Sequence, residues 1–274
     1  MKNSEDPSDD EQYHLEITAD DIAETVLLPG NPGRVETITE MWDQSTVRGD
    51  HREFRTATGT YQETPISVTS TGIGGPSAAI AVEELARIGA ETFIRVGSCG
   101  ALSADVAVGD LIISSGAIRQ EGTSSEYVRD DYPAVADYEV VSALTAAAEQ
   151  LGYDYHVGMT LSTDSFYPGQ DRMGFNEYTP PGSGSLISDL KEMNVMNIEM
   201  EAATLLTIAS LYQLRAGAVC TVYANRETGE FQSGDDTKAA ETASLGSHLL
   251  AKMDAVKHSV GADRWHAGLS IESE

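Results

Sequence analysis

Five arginines stand beside glycine turns or inside short polar motifs: Arg34 in PGNPGR, Arg52 in HREF, Arg95 in FIRVGSCG, Arg172 in FYPGQDR and Arg226 in ANRE. A guanidinium presents a planar fork of donors that suits phosphate oxygens, and glycine turns add backbone N–H groups that an anion can approach closely. A lone arginine in a strand more often faces solvent or pairs with a carboxylate, and QDR by itself would be surface decoration. Here the same chemistry recurs, once after the short apolar run Val26 to Leu28 and again after Val96. Two carboxylates, Glu199 and Glu201, flank Met200 where a helical run begins. Acidic residues at a helix start are common in any protein, so that pair has a bland explanation as well.

The stretch from Val68 to Leu102 organises the elements that must position these groups. A β-type run, Pro65 to Thr69, leads into TGIGGPS, and Pro76 suits a first helical turn. Ala78, Ala81, Val82, Leu85 and Ile88 then follow the spacing of a buried helical face, and Gly89 ends the helix. Phe93 to Val96 form a second strand, and the small residues of GSCG predict a turn directly after it. HREFRTATGTYQETPISVTS predicts a hairpin around Thr58-Gly59. Further strands are expected at Leu111 to Ile118, Tyr155 to Leu161 and Ala216 to Tyr223. Helices are expected at Val140 to Leu151, Glu201 to Leu214 and Thr237 to His258. The Gly, Pro and Ser-rich segment through Ser185 reads as a mobile lid. Interleaved strands and helices give an α/β fold, one domain spanning residues 13–258 with a mixed central sheet flanked by helices. Met1 to Gln12 is expected to be disordered, and residues 259–274 to form a loosely attached tail despite Trp265.

Composition narrows the function classes. The 44 acidic residues outnumber 17 basic ones for a formal charge of −27, which makes nucleic acid and anionic membranes poor partners. Hydrophobic residues make up 41%, too many for a disordered acidic chain. The charge predicts a cytoplasm of molar salt, where the screening length is about 3 Å and self-repulsion is tolerable. No apolar run approaches the ~20 residues of a membrane span, and the N-terminus lacks a signal-peptide core, so a cytoplasmic location is expected. Cys99 and Cys220, far apart in sequence, are expected to be buried free thiols rather than a disulfide or zinc site.

TSTGIGGPS, FIRVGSCGAL and above all SFYPGQDR resemble the uridine phosphorylase group of the nucleoside phosphorylase family, and the likeness runs from about His14 to about His258. The resemblance implies phosphorolysis of a nucleoside, with inorganic phosphate as co-substrate and no organic cofactor. It places phosphate on Gly30, Arg34, Arg95 and Ser98, with Arg52 contributed by a neighbouring subunit. Phe166, Gln170 and Arg172 would hold the base, supported by Arg226; Glu199, Met200 and Glu201 would hold ribose, and His14 would reach the 5′ hydroxyl in a neighbour's site. Arg95, Glu201 and Arg172 carry the catalytic weight, so Arg95→Ala is expected chiefly to damage phosphate use. Uracil's donor between two acceptors suits an amide with a guanidinium, and a fixed cation helps most as negative charge moves onto the departing base. Asn31 and Ser98 replace the usual Asp and Thr. Asn225, where purine-specific relatives carry an Asp, argues for pyrimidine over the alternative, a guanosine or inosine phosphorylase. Glu53, Ile73 and Ser77 match a monovalent cation site, with K+ as its expected ion. The same likeness implies a hexamer built as three dimers. A hydrolytic nucleosidase or a nucleoside sensor would not need the phosphate set.

Overall fold

Apolar runs bounded by glycine and proline become strands, and the longer amphipathic stretches between them become helices, in a computed structural model that describes residues 11–232 and 236–269. The first half comprises β1 Thr25–Pro29, α1 Gly33–Thr39, β2 Gln44–His51, β3 Phe54–Tyr61, β4 Thr64–Thr69, α2 Gly75–Arg87 and β5 Thr92–Ala101. It continues through β6 Leu111–Gln120, α3 Thr123–Tyr127, β7 Ala134–Val135, α4 Tyr138–Leu151 and β8 Tyr155–Thr163. The chain ends with α5 Leu186–Glu192, β9 Val195–Glu199, α6 Ala202–Leu211, β10 Arg215–Asn225 and α7 Thr237–Val260.

All ten strands belong to one mixed sheet, as the alternation of elements predicts. β1 runs parallel to both β4 and β5, while β3 and β2 extend this wing as antiparallel strands. On its other edge β5 pairs in parallel with β10; β10 pairs with β6, β6 with β8, β8 with β9, and β9 returns to the end of β5. Those five strands close a ring. Along β1 the side chains alternate between two cores: Leu27 joins the one formed with α1, α4 and α7, and Val26 and Leu28 the one formed with α2 and α6. Burial on both faces explains the unbroken apolar run. In β5, Phe93 faces the α2–α6 side and Ile94 and Val96 the other, so the two-residue period directs Arg95 toward α6.

Several expectations need correction. GSCG is not a turn: β5 continues through Gly97, Ser98, Cys99 and Gly100 to Ala101. The small residues are there because the strand is crowded; a Cβ on Gly97 would lie 2.7 Å from Cys220 Sγ and 3.4 Å from Arg95 Nε. Thr58 and Gly59 likewise lie inside β3, where a Cβ on Gly59 would meet the Gln44 carbonyl oxygen at 1.9 Å. The hairpin turns instead at Gln62 and Glu63, both in the left-handed region at φ 46 and 63. Cys99 and Cys220 are buried free thiols that share one small core cluster on neighbouring strands. Burial and a hydrogen bond with Cys220 push the Cys99 thiol well above its ordinary value.

Of the tail expected to be loose, residues 270–274 lie outside the described residues, while the part around Trp265 is anchored. Trp265 packs against the main core; its N–H donates to Glu139 at 2.9 Å, and its carbonyl accepts from the Tyr138 hydroxyl at 2.7 Å. Buried Glu139 also receives Lys257 at 2.5 Å and Arg215 at 3.5 Å, so one carboxylate ties Trp265 and the end of α7 to α4. Of the N-terminal stretch expected to be disordered, residues 1–10 lie outside the described residues, while Gln12 is buried and its N–H donates to the Ile17 carbonyl at 2.9 Å. Among the described residues no helix is long and apolar enough to cross a membrane.

Candidate active site

A cavity of about 710 Å³ opens where β1, β4 and β10 end and α1, α2 and α6 begin, the place where ligands gather on parallel strands. Its floor is an ion-paired cluster. Arg95, only 6% exposed, donates from Nε to Glu199 Oε2 at 2.8 Å and from Nη2 to Glu201 Oε2. Burial alone would pull this guanidinium down, yet Glu201 and Glu199 hold it above its ordinary value. Burial pushes the Glu201 carboxyl up, with Arg95 pulling against it. Glu201 also accepts from the Gly74 N–H at 2.6 Å, which fixes the loop entering α2.

Glu199 lines the cavity and is also bonded within the protein. Its carboxylate accepts from Arg95, from the Ser162 hydroxyl and from the N–H groups of Glu201 and Ala202 at 2.9 and 3.0 Å. Ser162 in turn accepts from the Ala203 N–H at 2.8 Å. These bonds occupy the first donors of α6 and hold Arg95 in place. Glu199, Glu201 and the half-buried Met200 all line the cavity.

Gly30, Arg34, Arg95 and Ser98 come together on this one cavity, as the motifs imply. Gly30 permits close approach, since a Cβ there would lie 3.1 Å from the Gly72 carbonyl oxygen. Asn31 accepts the Gly33 N–H at 2.9 Å, turning the chain into α1 so that Arg34 follows on its first turn.

Phe166, Gln170 and Arg172 also line the cavity, on the segment after β8. The Arg172 guanidinium stacks over the Phe166 ring at 4.6 Å, and its buried Nε has no protein partner among the described residues. Desolvation by burial lowers the Arg172 pKa, as suits a cation built to receive an acceptor. Gln170 is 5% exposed, and Arg226 Nη1 donates to its carbonyl at 2.9 Å. Arg226 therefore acts as a brace behind the segment that carries Phe166, Gln170 and Arg172. Asn225 is buried and fully spent: Nδ2 donates to the carbonyls of Ser103 and Val106, and Oδ1 accepts from the N–H groups of Glu227 and Thr228. It shapes a turn, so its identity carries less about base choice than the motif suggested. The segment expected as a lid contains two short 3-10 turns, and Asp171 ties it back to the Gly184 and Ile187 N–H groups.

Of the other expected site residues, Ile73 lines the cavity next to Gly72, whereas Arg52 and His14 lie elsewhere. Arg52 is exposed at φ 56 in the β2–β3 turn. His14 sits by a separate depression, its Nδ1 2.6 Å from the buried carboxylate of Glu84. Glu53 accepts from the Ser77 hydroxyl at 3.0 Å beside Gly72 and Ile73. Sequence reasoning missed Tyr223 and Phe231, which add aromatic wall, and Ser162, whose only signal was its place at the end of an apolar strand.

Comparison with known proteins follows the same residues. Residues 24–251 match the Phosphorylase superfamily. The chain is 55% identical over 258 residues to a uridine phosphorylase of Thermococcus kodakarensis, covering 94% of this chain and 93% of that protein. It is 43% identical to a guanosine phosphorylase of Halorubrum lacusprofundi (82% and 88% covered) and 41% identical to a uridine phosphorylase of Escherichia coli (84% and 92%). The matched region contains every residue that lines the cavity, and so the chain belongs to the phosphorylase superfamily.

Proposed function

We propose that this enzyme catalyses the reversible phosphorolysis of uridine to uracil and ribose 1-phosphate. One observation carries the reading: Arg34, Arg95 and Ser98 share a single cavity with Glu201 and Met200 and with Phe166, Gln170 and Arg172. A phosphate oxygen attacks the ribose carbon, the bond to the base nitrogen breaks, and its electron pair moves onto uracil. The arginines bind and orient the dianion, Glu201 favours the oxocarbenium-like sugar, and Arg172 meets the charge that grows on the base. Two uridine phosphorylases among the relatives support this choice. The named guanosine phosphorylase of Halorubrum keeps guanosine as the second reading, and the aromatic wall of Tyr223 and Phe231 would accept either base. Uridine consumption that requires inorganic phosphate tests the proposal; consumption without phosphate would overturn it.

The raised Glu201 carboxyl has a pH consequence. As pH falls through its elevated value, Glu201 gains a proton and Arg95 loses an anionic partner. The acid limb of kcat/KM is therefore expected to lie above the ordinary carboxylate value of 4.5. A pH–rate profile checks this, and Glu201→Gln should remove that limb from whatever activity remains.

We further propose a hexamer of three dimers in which His14 and Arg52, both outside this chain's own cavity, complete a partner's site. Glu53, Ser77 and the Ile73 carbonyl offer hard oxygen donors of the kind K+ takes. The charge of −27 calls for concentrated salt, in keeping with a cytoplasm of that kind. Sedimentation in concentrated KCl should give an active hexamer that dissociates and loses activity in dilute buffer. An active monomer would refute the assembly, and unchanged size and activity after desalting would refute the salt requirement.

A further inference from the structure

Asp236 stands immediately before α7, where an acidic side chain ordinarily caps the first turn. It makes no cap bond. Its Oδ2 instead accepts from Arg34 Nε at 2.5 Å, and its Oδ1 accepts from the Tyr223 hydroxyl. That hydroxyl lies 3.4 Å from Arg34 Nη2, and Arg34 Nη1 reaches the Val96 carbonyl at 3.4 Å. The Arg34 side chain is 12% exposed and that of Asp236 20%, so the pair is poorly screened. Burial and the bond to Asp236 raise the Tyr223 phenol above its ordinary value, which keeps the hydroxyl protonated as a donor.

A carboxylate and a phosphate compete for the same donors on a guanidinium. Arg34 and Tyr223 both line the cavity, so the carboxylate sits against the group that the phosphorolysis reading gives to phosphate. We propose that Asp236, steadied by Tyr223, competes with phosphate for Arg34 and thereby sets the phosphate affinity of the site. The inference rests on that reading. Incoming phosphate must part Asp236 from Arg34 or bind beside a like charge, and either cost weakens binding. The competition also has a use: an arginine left open at the cavity would accept any inorganic anion. An internal carboxylate yields only to a ligand that engages Arg95 and Ser98 as well.

The test is a thermodynamic cycle on the full-length protein. Inorganic phosphate binding by calorimetry and phosphate KM are measured at fixed ionic strength for wild type, Asp236→Asn, Tyr223→Phe, Arg34→Ala and Arg34→Ala/Asp236→Asn. Asp236→Asn should tighten phosphate about tenfold, within the usual range for coupled sites. Tyr223→Phe should shift affinity the same way by less. In the Arg34→Ala background the Asp236→Asn effect should vanish. Unchanged or weaker binding in Asp236→Asn would overturn the proposal, because the carboxylate would then be holding Arg34 ready. Equal tightening without Arg34 would overturn it too, leaving only a long-range charge effect. A wild-type enzyme that neither binds nor needs phosphate would instead refute phosphorolysis itself.

Discussion

Replacing Arg95 with alanine is expected to lower kcat/KM for uridine by about three orders of magnitude, and to destabilise the fold as well. The sequence points to a loss that falls chiefly on phosphate use. The structure widens it, because the guanidinium proposed to face phosphate is also the counter-ion of Glu199 and Glu201, 4% and 3% exposed. Removing one partner from a buried ion pair costs about 3–5 kcal/mol, and losing one fixed charge-stabilising donor costs about 10²–10³ in rate. Arg95→Lys should recover part of the stability and little of the rate, since an ammonium cannot span both carboxylates as the fork does. Phosphate KM, uridine KM and thermal unfolding together decide the matter. A variant that lost only phosphate affinity, with uridine binding and melting temperature intact, would uncouple Arg95 from the ribose end.

Base choice should show an effect of similar size. Uridine is expected to exceed inosine and guanosine by orders of magnitude in kcat/KM, because the Arg172 Nε is buried without a partner and Gln170 is buried beside it in the wall. Each polar group left unpaired by the wrong base costs about 1–3 kcal/mol. Arg172→Ala should cut uridine turnover, and Gln170→Ala should weaken selection against cytidine, whose ring edge exchanges donor and acceptor. Arg226→Ala should act at one remove, raising uridine KM more than it lowers kcat, since it braces the Gln170 carbonyl. Better turnover of guanosine by the unmutated enzyme would give the site to purines and leave the phosphate and ribose assignments standing.

Much of this site is legible because the residues proposed to bind substrate sit in short local motifs; PGNPGR, FIRVGS, FYPGQDR and IEME each deliver their side chains to one cavity. What the motifs conceal is the traffic between them. Glu199 and Glu201 look alike in sequence and both line the cavity, and only the third dimension shows Glu199 tied to Ser162 and the start of α6, Glu201 to the Gly74 N–H before α2, and Arg95 bonded to both. Small residues are ambiguous in the same way. GSCG and Thr58-Gly59 signal close packing of strands as readily as turning, and here packing wins. Asp236 lies 202 residues from Arg34, beyond the reach of any local pattern. Nothing local to Trp265 shows that it is held, because the buried carboxylate that accepts its backbone N–H is far away in sequence at Glu139.

The order in which the ring of five strands closes bears on how the protein is made. β10 fits between β5 and β6, yet among the described strands it leaves the ribosome after all the others. Until Arg215 to Asn225 have emerged, β5 lacks its partner along one whole edge and β6 along part of one, and such edges invite pairing with other chains. Tyr223 and the brace at Arg226 arrive in or directly after the same stretch, so the cavity wall stays incomplete in a nascent chain until β10 has emerged. Chains stalled or cleaved before Arg215 should therefore be both inactive and prone to aggregate, and codon-level slowing just upstream of β10 would lengthen the period of greatest exposure.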